Sequence, residues 1–221
     1  MAIPLHIIIA TRNRHKVREL ARLLSLRGIR WHSLAEFPQV PPTEETGRTF
    51  DANAVKKARA VAKATGSLVL ADDSGLEVDA LDGAPGIRSA RFAGEPSDDR
   101  ANNEKLLRML EGVPSSRRIA RYRCSLALAA PTRLLAITRG TWSGRVGTRP
   151  VGRHGFGYDP IIVIPRYQQT VGQLPDRVKQ RLSHRARAAR RLRPVLHRLV
   201  RQAGARGMVA SGQERGRRGR S

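Results

Sequence analysis

The chain is 221 residues long with a formal charge of +24, which supports one substantial domain and, with few aromatics, an aliphatic core. No run approaches the apolar length of a membrane span, and the opening MAIPLHIIIA lacks the charged flank of a signal peptide, so a soluble cytoplasmic protein is expected. Clustered basic residues attract nucleic acid, but only six of the 42 are lysine and stacking aromatics are not interleaved, so no specific nucleic-acid partner is expected, only weak attraction of polyanions to a basic tail.

Residues 5–10 read as a strand. Thr11-Arg12-Asn13-Arg14-His15-Lys16 then leads into a helix marked by Val17, Leu20, Ala21 and Leu24 and stopped by Gly28. A polar loop with Pro38, Pro41 and Pro42 carries Glu44-Glu45-Thr46-Gly47. A helix over 49–64 follows, with Phe50, Ala54, Ala58 and Val61 facing the core. Residues 68–71 read as a short buried strand ended by a turn at Asp72-Asp73-Ser74-Gly75, and 76–81 as a second strand. After the loop Gly83-Ala84-Pro85-Gly86 come a helix over 98–110 and two strands, 121–129 and 134–141, pairing as a hairpin. Cys124, the single cysteine, sits in the first of these as a buried small hydrophobe. The loop Gly155-Phe156-Gly157-Tyr158-Asp159-Pro160 precedes a strand over 161–164. The last helix, 183–200, contains Pro194, which predicts a kink or break near Leu192. Beyond Gln202 the composition predicts a disordered basic tail, giving one domain over 1–202 and a tail over 203–221. Alternating strands and helices favour an α/β architecture.

Four segments carry candidate chemistry. The loop before the first helix offers backbone N–H groups, the helix dipole and Lys16 to an anion, or Thr11 and Asn13 serve only as caps. Asp72 and Asp73 are turn residues, or they bind a hard cation such as Mg²⁺, with Glu44 and Glu45 adding carboxylates. On a regular strand neighbouring side chains point apart, so both aspartates can serve one site only if the chain bends at Ser74-Gly75. Phe156 and Tyr158 are rings for stacking or core aromatics, with Asp159 as an acceptor. Lys179 with Ser183-His184-Arg185 faces an anion or a purine edge, or solvent.

In this order, TRNRHK, EETGRTFDANA, ADDSGLEVDALDGAPGIRSARFAG, GFGYDP and SHR resemble the inosine triphosphate pyrophosphatase family, also called XTP/dITP diphosphatases, over about residues 5–200. The resemblance implies a long mixed twisted sheet flanked by helices, two lobes with a cleft between, and a homodimer. It implies Mg²⁺-dependent hydrolysis of ITP, dITP and XTP to the monophosphate and pyrophosphate, which clears them from the nucleotide pool. Carried over, Thr11, Arg12, Asn13, Arg14, His15 and Lys16 form the phosphate loop. Glu44 and Asp73 match the metal site, with Glu45 and Asp72 close by. Asp73 is the proton acceptor and Ser74 a substrate contact. Phe156, Gly157, Tyr158 and Asp159 match the base pocket, and Lys179, His184 and Arg185 the C-terminal contacts. Departures from the pattern are Arg12, Ala52, Arg88, Gln173 and the ending with Pro194. The rival readings are a pyrophosphatase of other base preference and a nucleic-acid-binding protein on a degenerate nucleotide fold.

Overall fold

The computed structural model describes residues 4–217, with side chains to 205. Seven strands form one mixed sheet: β1 (Leu5–Ile9), β2 (Ile29–Ser33), β3 (Leu68–Val78), β4 (Ile119–Ala129), β5 (Leu134–Val146), β6 (Ile162–Ile164) and β7 (Gln169–Thr170), in the order β2-β1-β3-β4-β5-β6-β7. β1 runs parallel to β2 and β3, and all the remaining pairs are antiparallel. Five helices flank it: α1 (Arg14–Leu23), α2 (Phe50–Thr65), α3 (Asp99–Met109), α4 (Asp176–Leu182) and α5 (His184–Arg217). This is the α/β fold with a mixed sheet that the motif resemblance implies.

Period-two alternation in β3 divides the core. Leu70 joins α1 and α5 on one face through Leu20, Leu24, Leu192 and Leu196. Val69 and Ala71 join α2 on the other face through Ala54, Ala58 and Val61. A third cluster fills the far end of the sheet around Leu76, Val78, Tyr122, Trp142 and Ile162. The residues between these apolar groups on β3 are Asp72, Asp73, Ser74 and Gly75.

The expected turn there does not exist. β3 is one continuous strand paired with β4 from Val69↔Ala129 to Val78↔Ala120. Gly75 is a close-packing glycine rather than a turn glycine: a Cβ on it would lie 2.4 Å from Ser89 Oγ and 2.6 Å from Gly86 O. β1 ends opposite Leu70, so beyond that point β3 has lost its parallel neighbour, and the α1 loop and the 86–89 segment close in.

Several short elements escaped the sequence pattern, among them 3-10 turns over Asp79–Leu81, Gly86–Arg91 and Ser115–Arg117. β2, β7 and α4 lack a readable apolar period, and a single-turn 3-10 helix over Leu34–Glu36 is capped by Ser33 and Glu36. The expected break at Pro194 is absent; α5 runs through it, because Leu192 and Leu196 on either side are buried in one cluster. α5 extends past Gln202 to Arg217, into the segment expected to be a disordered basic tail. Residues 218–221 of that tail lie outside the described residues.

Candidate active site

Because β3 stays straight, its two aspartates leave on opposite faces. Asp72 points towards α1 and α5. Its Oδ1 lies 2.7 Å from Lys16 Nζ and accepts from Ser74 Oγ at 2.8 Å. Its Oδ2 is 2.9 Å from Arg185 Nε and accepts from the Cys124 thiol at 3.3 Å. Burial alone would raise this carboxyl, but Arg185 and Lys16 outweigh it and hold the pKa well below 3.8. Asp72 is a permanent, saturated anion.

Asp73 points towards α2. Its Oδ1 is 4.0 Å from Lys57 Nζ, and its buried Oδ2 has no hydrogen-bond partner. Here burial wins over Lys57 and Lys16, and the pKa rises to about 6. Lys57 Nζ is nearer to Glu45, at 2.6 Å from Oε1, and donates to the Asp72 carbonyl at 3.3 Å. Burial pushes Glu45 up, but Lys57, Lys16 and Arg91 together outweigh it, so the carboxyl is held below 4.5 and stays ionised. The loop bearing Glu45 is held by Asn53, whose Oδ1 accepts from Gly47 N at 2.7 Å. Glu45 and Lys57 line a 200 Å³ cavity together with Thr11 and Arg12. The cavity thus joins the first loop to the acidic loop.

On the Asp72 face, a 120 Å³ cavity is lined by Asn13, Lys16, Ser74, Phe156, Gly157, Tyr158, Asp159, Lys179, His184 and Arg185. Segments far apart in sequence thus meet in one place. Lys179 Nζ sits 2.7 Å from both Asp159 Oδ2 and Glu19 Oε1, and 4.6 Å above the Phe156 ring. Burial would lower this ammonium, but Asp159 and Glu19 raise it, so it stays charged. Arg185 is almost fully buried; besides Asp72 it reaches Glu19 and donates to Ser74 Oγ at 2.8 Å. His184 stacks on Tyr122 at 4.9 Å, and burial drives its pKa well below 6.5, so the imidazole is neutral. α5 can bring these residues in because β5 offers Gly140 there, where a Cβ would sit 2.0 Å from His184 O.

Several motif residues have local partners of their own. Asn13 caps α1, its Oδ1 accepting from His15 N and Lys16 N. Thr11 Oγ accepts from Asn13 N at 3.2 Å. Arg12 donates to Val40 O at 2.8 Å. His15 stacks on Phe156 at 5.2 Å. Tyr158 is not a free stacking ring: it is buried, with its hydroxyl donating to Ser89 O at 2.8 Å. Asp159 is not an open acceptor either, being tied to Tyr122, Phe156 N and Lys179. Arg14 and Glu44 are exposed. Among the described residues no three His, Cys, Asp or Glu side chains converge as a metal cage. A larger cavity of 650 Å³ is lined by Arg48, Arg123 and Arg139 with Asp51, Glu77 and Asp82, and by none of Glu44, Glu45, Asp72, Asp73 or Asp159.

Glu19, Lys57 and Tyr122 were not among the expected site residues. Glu19 lies three residues after Lys16 in α1 and Lys57 four after Asn53 in α2, spacings that share a helix face. Tyr122 had no such signal.

The Ham1 family model matches residues 7–195. A dITP/XTP pyrophosphatase of Desulforamulus reducens is 50% identical over 193 residues, covering 87% of this chain and 96% of that protein. Among solved structures, a HAM1 protein from Coxiella burnetii aligns with a TM-score of 0.80 at 41% identity, over 88% of this chain and 99% of that one. A nucleoside-triphosphatase or dITP/XTP pyrophosphatase from Mycobacterium abscessus aligns with a TM-score of 0.68 at 40% identity, over 80% of this chain and 95% of that one.

Proposed function

The chain belongs to the Ham1 family, and we propose that it hydrolyses the deaminated purine triphosphates ITP, dITP and XTP to the monophosphate and pyrophosphate. The observation that carries the mechanism is the Asp73 carboxyl: buried, one oxygen without a partner, and poised near pH 6. A base serves best when its pKa lies near the working pH. Asp73 accepts a proton from water as the water oxygen bonds to the α-phosphorus. The bridging α–β P–O bond breaks, and pyrophosphate leaves with the bonding electrons. Lys16 and Lys57 flank the two aspartates and offset charge that builds on the phosphates.

The residues present fit Mg²⁺. The free Asp73 Oδ2 and the nearby Glu45 are hard oxygen donors, Glu44 adds an exposed carboxylate on the same loop, and an incomplete protein cage suits an ion that also takes water and phosphate oxygens. Asp73 and Glu44 would hold the ion, with Glu45 alongside. When bound it would neutralise phosphate charge. Asp72 is spent on Lys16 and Arg185, so in this reading it orients the two cations rather than ligating metal.

A 6-keto purine presents an acceptor where adenine presents a donor. Lys179 and Arg185 supply donors at the Phe156 cavity, and adenine would leave them unpaired, which discriminates strongly. Lys179→Ala should narrow the ITP-to-ATP ratio of kcat/KM; an unchanged ratio removes Lys179 from base reading. The described residues include no helix long and apolar enough to cross a membrane, and we place the enzyme in the cytoplasm as a homodimer. A screen of nucleoside triphosphates with pyrophosphate detection, with and without Mg²⁺, tests the activity. Equal rates on ITP and ATP, or salt-sensitive nucleic-acid binding without hydrolysis, would defeat it.

A further inference from the structure

We propose that Tyr122 is a positioning residue for base selectivity, holding the base-pocket loop and the start of α5 in register from the centre of the sheet. The proposal rests on the activity assigned above. Tyr122 is buried, and its hydroxyl donates to Asp159 Oδ1 at 2.8 Å. Burial and the Asp159 charge push the phenol well above 10, so the group is a fixed donor. It is the hydrogen-bond partner of Asp159 Oδ1 among the described residues, which leaves Oδ2 for Phe156 N at 3.0 Å and Lys179 at 2.7 Å.

The loop needs such an anchor. Gly155 and Gly157 both have positive φ, and a Cβ on Gly155 would meet Asp159 Oδ2 at 2.0 Å, so the Asp159 carboxylate fills the inside of the bend. The face of the Tyr122 ring meets His184 at 4.9 Å, nearly parallel. One side chain on a central strand therefore touches the base-pocket loop and the start of α5, and reaches Lys179 of α4 through Asp159. If the hydroxyl is removed, a buried carboxylate oxygen loses its donor, and Asp159 can turn both oxygens on Lys179. Lys179 and the Phe156 ring beneath it then lose their fixed position. Asp73, Glu45 and Lys57 lie on the other face of β3 and keep theirs.

Steady-state kinetics of Tyr122→Phe on ITP and ATP, with the melting temperature alongside, test this. Phenylalanine keeps the ring on His184. The expected result is an ITP KM raised about tenfold with kcat within about twofold, and an ITP-to-ATP ratio of kcat/KM that narrows about as much. In an Asp159→Asn background the substitution should have little further effect, since Tyr122 acts through Asp159. An unchanged KM and ratio, an equal fall in kcat on every nucleotide that follows a lower melting temperature, or additive effects in the double variant would each overturn the proposal. A wild-type protein that does not prefer ITP would overturn the activity assignment, and this proposal with it, before any variant is compared.

Discussion

The two faces of β3 treat adjacent, chemically identical carboxylates in opposite ways. On the α1/α5 face Asp72 meets two cations, a hydroxyl and a thiol. On the α2 face Asp73 meets one lysine at 4.0 Å that is nearer to Glu45. One step along a strand is a half-turn in side-chain direction, and here it separates a fully paired carboxylate from one with an unpaired oxygen. Environments that push paired carboxyls apart in this way support the proposed assignment of Asp73 as the base. In that proposal the doublet serves as two separately placed carboxylates rather than as a chelating pair. Its value lies in delivering two carboxylates to two faces at one point of the sheet.

The comparison breaks most severely at Asp73. Asp73→Asn should lower kcat at least about a hundredfold, the usual contribution of a positioned base, with the pyrophosphate release rate as the readout. Asp72→Asn should instead act first on folding. Leaving Lys16 and Arg185 with a neutral partner should cost about 3 kcal/mol in urea denaturation, and activity should fall because both cations lose their orientation.

The same contrast predicts opposite pH dependences. Asp73 keeps a proton in the folded chain between 3.8 and about 6, where the unfolded chain has lost it, so its contribution to stability falls as pH rises through that window, by about 3 kcal/mol without metal. Asp72 has a depressed pKa and contributes stability above 3.8, lost as pH falls through its folded value. Subtracting the Asp73→Asn stability profile from that of the metal-free wild type should isolate the first slope. A difference that is flat between pH 4 and about 7 would remove it.

Smaller effects sharpen where each face is anchored. Gly140→Ala places a methyl against the His184 carbonyl and should cost about 1–3 kcal/mol while weakening substrate binding through Arg185. Arg12→Gly removes one hydrogen bond to Val40 O and should cost about 1 kcal/mol, with kcat within about threefold.

Much of this arrangement could be read from the chain. α1, α2 and α3 were legible because each has one apolar face, and β1 and β4 because each is an apolar run buried on both faces. The motif order brought Asp72, Asp73, Phe156, Lys179 and Arg185 towards one activity. What could not be read was the strand at Asp72-Asp73-Ser74-Gly75. Local turn propensity there is outweighed by ten paired positions with β4 and by a glycine needed for packing against Ser89. For Tyr158 the sequence left a stacking ring and a core aromatic open, and the choice turns on Ser89 O, which accepts its hydroxyl. Glu19 and Tyr122 act only through partners more than thirty residues away, and no local pattern reveals such a contact. β2 was missed because IRWHS, at the sheet edge, has no buried alternation.

The division of labour between the two aspartates is tested most directly by thermal denaturation of metal-free wild type, Asp72→Asn and Asp73→Asn side by side near neutral pH. Asp73→Asn should melt above the wild type, because it relieves a buried carboxylate of its charge, and Asp72→Asn should melt below it. Melting shifts of the same sign for the two variants would contradict the account.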